Sequence, residues 1–147
     1  MTTMTGQTTQ VYSVFIKATP EQIWDAITKP EFSHKYFYGS HVTVTPETYR
    51  SLDGEGGDLV TGTVLEYEPP HRLVHAWQAL YDPDTAGEPE SRVTWEIAAQ
   101  DGGYSQLIVT HDRLEDSPKT AESVAGGWMY LLSGLKTVVE TGEPLAG

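Results

Sequence analysis

The chain has 147 residues with 38% hydrophobic and 10% aromatic content, enough for one folded domain with its own core. Its formal net charge is -12, with only nine Lys and Arg scattered along it, so nucleic acid and anionic membrane surfaces are not expected partners. Cysteine is absent, which removes any disulfide framework, Cys nucleophile or thiolate zinc site and fits a cytoplasmic home.

Residues 1–9 read as a Thr-rich tail without the basic and apolar regions of a secretory signal. Gln10 to Lys17 is rich in β-formers and predicts the first strand. Thr19-Pro20-Glu21-Gln22 then starts a helix: Thr19 caps, Pro20 suits the first helical position and Gln22 completes a capping box. Ile23, Ala26 and Ile27 form its apolar face, and Pro30 ends or kinks it. A second short helix over about Glu31 to Tyr36 leads into the aromatic run Tyr36-Phe37-Tyr38.

Six further strands are expected, at His41–Thr45, Tyr49–Leu52, Leu59–Glu68, Arg72–Leu80, Arg92–Ala98 and Ser105–Leu114. Gly, Asp and Pro clusters punctuate them, and Tyr81 to Ser91 reads as a polar loop that could serve as a lid. In the third of these, the cost of burying an unpaired carboxylate favours Leu65 and Tyr67 facing inward and Glu66 facing solvent. The chain closes with a long helix from Pro118 to about Glu140, whose stripe is Val124, Trp128, Leu131, Leu132, Leu135, Val138 and Val139. One long helix after a run of strands must bury its stripe on a sheet, so the pattern is α+β with an antiparallel sheet of about six to seven strands, in a single domain over 1–147.

Strand alternation places Leu73, His75 and Trp77 on one face, Val93, Trp95 and Ile97 on another, and Leu107, Val109 and His111 on a third. Two histidines therefore ride on apolar faces beside tryptophans. Two readings compete. Each histidine is a hydrogen-bonded core residue, or each orients a ligand in an aromatic pocket. The tryptophans, Trp128 included, either fill the core or line a cavity. The candidate ligand-contacting set is Tyr36, Tyr38, His75, Trp77, Trp95, His111, Trp128 and Leu132.

Other motifs carry little chemistry. The five histidines show no HExxH spacing, and His71 and His75 on a strand stand about 13 Å apart, so no metal site is expected. Gly54-Glu55-Gly56-Gly57 lacks the spacing and following helix of a phosphate cradle and reads as a turn. There is no G-x-S-x-G elbow. No catalytic residue and no cofactor are assigned. The enzymatic alternative is a cyclase or hydrolase-like activity with His75 or His111 as general acid or base.

The run Val14-x-Ile16-x-Ala18-Thr19-Pro20-Glu21-x-Ile23-Trp24-Asp25-Ala26-Ile27-Thr28 resembles the opening of the SRPBCC proteins, in the branch named after the activator of the Hsp90 ATPase. The resemblance continues through Gly62 to Glu66, Pro69 to Trp77, Ser91 to Glu96, Gly127-Trp128 and Leu135 to Gly142. It implies a helix-grip fold, similar to START and Bet v 1 domains, in which a curved sheet wraps a long C-terminal helix and two short helices close one end. The space between often holds a hydrophobic small molecule, and family functions range from lipid and polyketide binding to cyclase chemistry and co-chaperone action. The tryptophan that related bacterial members often carry in the region of His41 to Arg50 is absent. The Hsp90 activator carries another domain before this one, and a first strand beginning near residue 10 leaves no room for it, so an Hsp90-type partner is not expected. The expected partner is an apolar, aromatic or acyl, small molecule. An interaction module with a filled core is the remaining alternative. A homodimer is compatible with the sequence, which does not fix the oligomeric state.

Overall fold

A computed structural model describes residues 8–145, so most of the tail expected at 1–9 lies outside the described residues. The elements in chain order are β1 (Gln10–Ile16), α1 (Pro20–Thr28), α2 (Pro30–Ser33), β2 (His41–Val44), β3 (Thr48–Leu52), β4 (Asp58–Glu68), β5 (Arg72–Ala79), α3 (Pro83–Ala86), β6 (Ser91–Gln100), β7 (Tyr104–Asp112) and α4 (Pro118–Thr141). The strands form one antiparallel sheet in the order β1-β7-β6-β5-β4-β3-β2. The expected α+β helix-grip arrangement is what the chain adopts: α4 lies on the concave face, and α1 and α2 follow the first strand.

Local chemistry sets the element ends. The Thr19–Gln22 capping box forms in full at the start of α1, with Pro20 in its first turn. Lys29 then takes extended backbone before Pro30, as the residue preceding proline prefers, and α2 is a single turn rather than the longer helix expected to Tyr36. At the far end of the chain Gly142, at φ 82, closes α4 with an N–H donated to Val138.

The N-terminus of α4 is capped from a distance. Ser117 makes no side-chain cap; instead the Glu88 carboxylate accepts hydrogen bonds from the backbone N–H of Lys119 and Thr120 and from the Thr120 hydroxyl. Ser117 Oγ donates to the Pro89 carbonyl, and the Gln78 amide donates to the carbonyls of Ala86 and Glu88. The segment Tyr81 to Ser91, expected as a polar loop, thus contains the short helix α3 and is strapped to β5 and α4.

Strand β4 corrects one reading of register. Val64 and Tyr67 both pack toward the core, while Leu65 is 53% exposed. The ladder to β5 shifts between Val64 and Glu66, so Leu65 is an inserted residue that reverses the alternation. Glu66 does face out, where Arg72 bonds both it and Glu96. In the same strand a Cβ on Gly62 would collide with the Ala76 carbonyl, so the β4–β5 contact admits only glycine there.

The stripe on α4 is buried as its periodicity requires: Val124, Trp128, Leu131, Leu132, Leu135 and Val138 face the sheet. They meet Leu73 and Trp77 from β5, Val93, Trp95 and Ile97 from β6, and Leu107 and Val109 from β7 in one continuous core. Tyr12 Oη and Gln10 Nε2 donate to carbonyls of α4, at Ala125 and Ala121, and hold the helix to the edge strand β1.

Candidate functional site

Under the N-terminal half of α4 the core is not filled. A cavity of about 430 Å³ lies between the helix, strands β3 to β5 and the segment joining α2 to β2. The helix contributes Ser123, Val124, Gly127, Trp128 and Leu131. The sheet contributes Ser51, Leu59, Val60 and Trp77, and Phe37, Tyr38, Ser40 and Tyr81 complete the wall. The gap follows from side-chain size. Gly127 and Val124 come from the helix where Ser51 and Val60 come from the sheet, so small groups stand on both sides.

Tyr38 and Tyr81 stand at the mouth, 63% and 46% exposed. Tyr38 takes a left-handed backbone at φ 53, unusual for a bulky residue. Its ring stacks on Tyr130 at 5.5 Å and its hydroxyl lies 3.4 Å from the Gly127 carbonyl, so it reaches from the α2–β2 segment across to α4. Tyr81 Oη and Ser123 Oγ make a second crossing at 2.7 Å.

Three residues of the sequence-derived set, Tyr38, Trp77 and Trp128, line this cavity. The other five do not. Tyr36 is buried beneath α4, where its hydroxyl donates to the Ala26 carbonyl at 2.7 Å and its Cβ packs closely against Gly134. Leu132 is a core residue. Trp95, His75 and His111 sit deeper, in a hydrogen-bonded cluster outside the lining.

That cluster fixes both imidazoles. Trp95 Nε1–H donates to His75 Nε2 at 3.0 Å, so the His75 proton sits on Nδ1 and goes to the Ala76 carbonyl at 2.9 Å. Trp128 Nε1–H donates to His111 Nδ1 at 3.1 Å, which places the His111 proton on Nε2, 2.7 Å from Ser91 Oγ. Ser91 in turn donates toward the Trp77 carbonyl. Burial holds the His75 pKa down to about 4, and burial together with His75 holds His111 down to about 3. Both are neutral acceptors that set indole orientation. Every ring nitrogen of the two histidines is engaged within the protein, and neither residue is among those that line the cavity.

The sequence-derived set does not include Ser51, Phe37 or Val60. Ser51 shares a face of β3 with Tyr49, which stacks on His75 with ring centroids 3.8 Å apart, and the alternation of that short strand was the available signal. Three buried polar atoms have no protein partner among the described residues: Tyr49 Oη, Ser51 Oγ and Trp77 Nε1. Two of these belong to residues of the cavity wall.

A long helix gripped by a seven-stranded antiparallel sheet, with an apolar hollow beneath it, defines a helix-grip protein. The chain belongs to the Activator of Hsp90 ATPase homolog 1-like family, whose sequence pattern matches residues 17–140. No curated protein matches it. Among solved structures it is similar to MLL2253 from Mesorhizobium loti, at TM-score 0.71 and 21% identity over 89% of this chain and 96% of that one. It is also similar to PFC0360w, an HSP90 activator from Plasmodium falciparum, at TM-score 0.72 and 21% identity, covering 94% of this chain and 99% of that one. DynU16, a putative protein in the dynemicin biosynthetic locus, matches at TM-score 0.72 and 22% identity over 94% of this chain, which spans about half of DynU16 (49%). At these identities the likeness concerns the fold. No helix among the described residues is long and apolar enough to cross a membrane.

Proposed function

We propose that this protein binds an apolar small molecule in the cavity between the sheet and α4. The observation that carries this is the cavity itself: about 430 Å³ with an aromatic and aliphatic wall, open to solvent beside Tyr38 and Tyr81. The volume lies in the range of small-molecule sites, roughly 300–1,000 Å³. The place of DynU16 in a biosynthetic locus is in keeping with a small-molecule role. An enzyme driven by His75 or His111 is disfavoured, because both rings are neutral, enclosed and bonded at both nitrogens.

Trp77 and Trp128 in the wall make intrinsic fluorescence the natural readout. Titration with flavonoids and fatty acids is expected to quench emission and raise the melting temperature for at least one class. Leu131→Trp, which fills the hollow, is expected to abolish both responses while the protein stays folded. Absence of quenching and of thermal shift across the whole panel would overturn the proposal.

A further inference from the structure

The sheet has two edge strands, and the chain treats them differently. At β2 the Val42 N–H donates to Ser33 Oγ at 2.8 Å, and α2 packs on the strand. At β1 the cover is partial. The Lys136 ammonium donates to the Phe15 carbonyl at 2.8 Å, and the Lys17 N–H donates to the Glu140 carboxylate at 2.8 Å. Both bonds leave the sheet, so they mark the backbone groups of β1 that point away from β7. Val11 and Ser13 alternate into the same set. Among the described residues, no hydrogen bond from outside the sheet reaches the N–H or C=O of either one. An open stretch of edge is a template for another strand.

Two features say which strand fits. The first is charge. The chain carries a net charge of -12, yet Gln10–Ile16 holds no charged residue, and Lys17, Lys136 and Glu140 flank it, two cations to one carboxylate. Two copies of an acidic chain meet here with the least repulsion. Met129, 65% exposed, shares the face of α4 that carries Ala125 and Lys136, so an uncharged surface continues from the edge onto the helix.

The second feature is self-complementarity. Set two β1 strands antiparallel with Val11 of one opposite Ser13 of the other. Each such pair exchanges both backbone hydrogen bonds, which satisfies the N–H and C=O groups that Val11 and Ser13 leave open. The bonds of Lys136 and Glu140 stay in place. Val11, 61% exposed, then lies diagonally across from Phe15 of the second copy, 53% exposed and within reach as an aromatic ring.

We infer that β1 is the contact surface of a weak two-fold dimer of this chain, formed by antiparallel pairing of Val11–Ser13 with the same segment of a second copy. The same patch serves both copies, so association closes at two, and the β2 edges left outside are covered by α2. So short a strand pair buries far less than the roughly 1,200–2,000 Å² of a stable complex, and the dimer forms only at high protein concentration.

Sedimentation velocity of the full chain from about 5 µM to about 1 mM spans the range of such a weak complex. The expected result is a monomer at the low end and a dimer at the high end, strengthened about 3- to 10-fold when about 0.5 M NaCl screens the net charge. Hydrogen exchange at the Val11 and Ser13 amides is expected to slow as concentration rises. Ser13→Pro removes an edge N–H that the fold does not use and is expected to weaken the dimer at least about 10-fold. Val11→Lys puts a charge on the exposed edge and is expected to weaken it at least about 5-fold. A wild-type protein that stays monomeric to about 1 mM at both low and high salt overturns the inference, as does a dimer whose affinity neither substitution changes. Should Ser13→Pro fail to fold, Val11→Lys and the exchange data decide it.

Discussion

The two halves of the sheet beneath α4 use similar residues to opposite ends. On the side of β6 and β7, Trp95, His111 and Trp128 are joined with His75 and Ser91 so that every ring nitrogen has a partner, and aliphatic side chains fill the rest. On the side of β3, β4 and β5, Trp77 and Ser51 also face inward and line the hollow, yet Trp77 Nε1 and Ser51 Oγ have no partner among the described residues. Aromatic and polar residues on an inward face therefore do not by themselves mark a site. What separates core from site is whether the polar atoms are satisfied from within and whether the opposing element carries bulk.

The sharpest way to break this contrast is Trp95→Ala. It removes a fully buried indole and leaves His75 Nε2 without its donor, so chemical denaturation should show a loss of about 3–5 kcal/mol. Next comes His111→Leu, which strands the Trp128 N–H and disconnects Ser91; about 2–3 kcal/mol should be lost. Survival of either variant at full stability would show that the filled half is not held by these bonds.

The same cluster predicts a pH dependence. With folded pKa values of about 4 and about 3 against an ordinary value near 6.5, both histidines take up protons more readily in the unfolded chain. Their contribution is complete above about pH 6.5 and falls as pH drops, ending near pH 4 for His75 and pH 3 for His111. Each adds a slope approaching about 1.4 kcal/mol per pH unit between those limits. Denaturation midpoints should begin to fall just below pH 6.5, before Asp112, whose hydrogen bond from Arg92 lowers its pKa, contributes at more acidic values. A stability profile flat from about pH 7 to about pH 5 would contradict the neutral, buried assignment.

The smallest effects belong to the hollow half. Tyr49→Phe and Ser51→Ala each delete an unpartnered oxygen, and both are expected to change stability by less than about 1 kcal/mol, with Tyr49→Phe neutral or stabilising. A loss beyond about 2 kcal/mol from Tyr49→Phe would mean that its hydroxyl has a partner in solution.

Much of the candidate site was half legible. Strand alternation on β5, β6 and β7 correctly turned His75, Trp77, Trp95 and His111 inward, and the α4 stripe did the same for Trp128 and Leu132. It could not say which inward residues meet a ligand, because pairing between indoles and imidazoles crosses strands and elements far apart in the chain. Trp128 shows the limit best: one face lines the cavity while its N–H is tied into the filled core. Ser51 is legible only through its alternation with Tyr49 on a short strand, and a serine there suits solvent as well as a cavity wall. Leu65 was misplaced because a bulge adds a residue without a compositional mark.

By itself the sequence determined the order of the strands and of the helices other than α3, the α1 capping box and the stripe of α4, since these depend on local propensity and on the 2.0 and 3.6 periods of side-chain direction, while the helix-grip architecture was implied by the family resemblance. Only the tertiary structure decided where the core stays empty, that Glu88 on a distant segment caps α4, and that both histidines are neutral hydrogen-bond acceptors. Those outcomes depend on which side chains stand opposite one another across the fold, and packing and hydrogen-bond satisfaction are settled there, between neighbours the linear chain does not reveal.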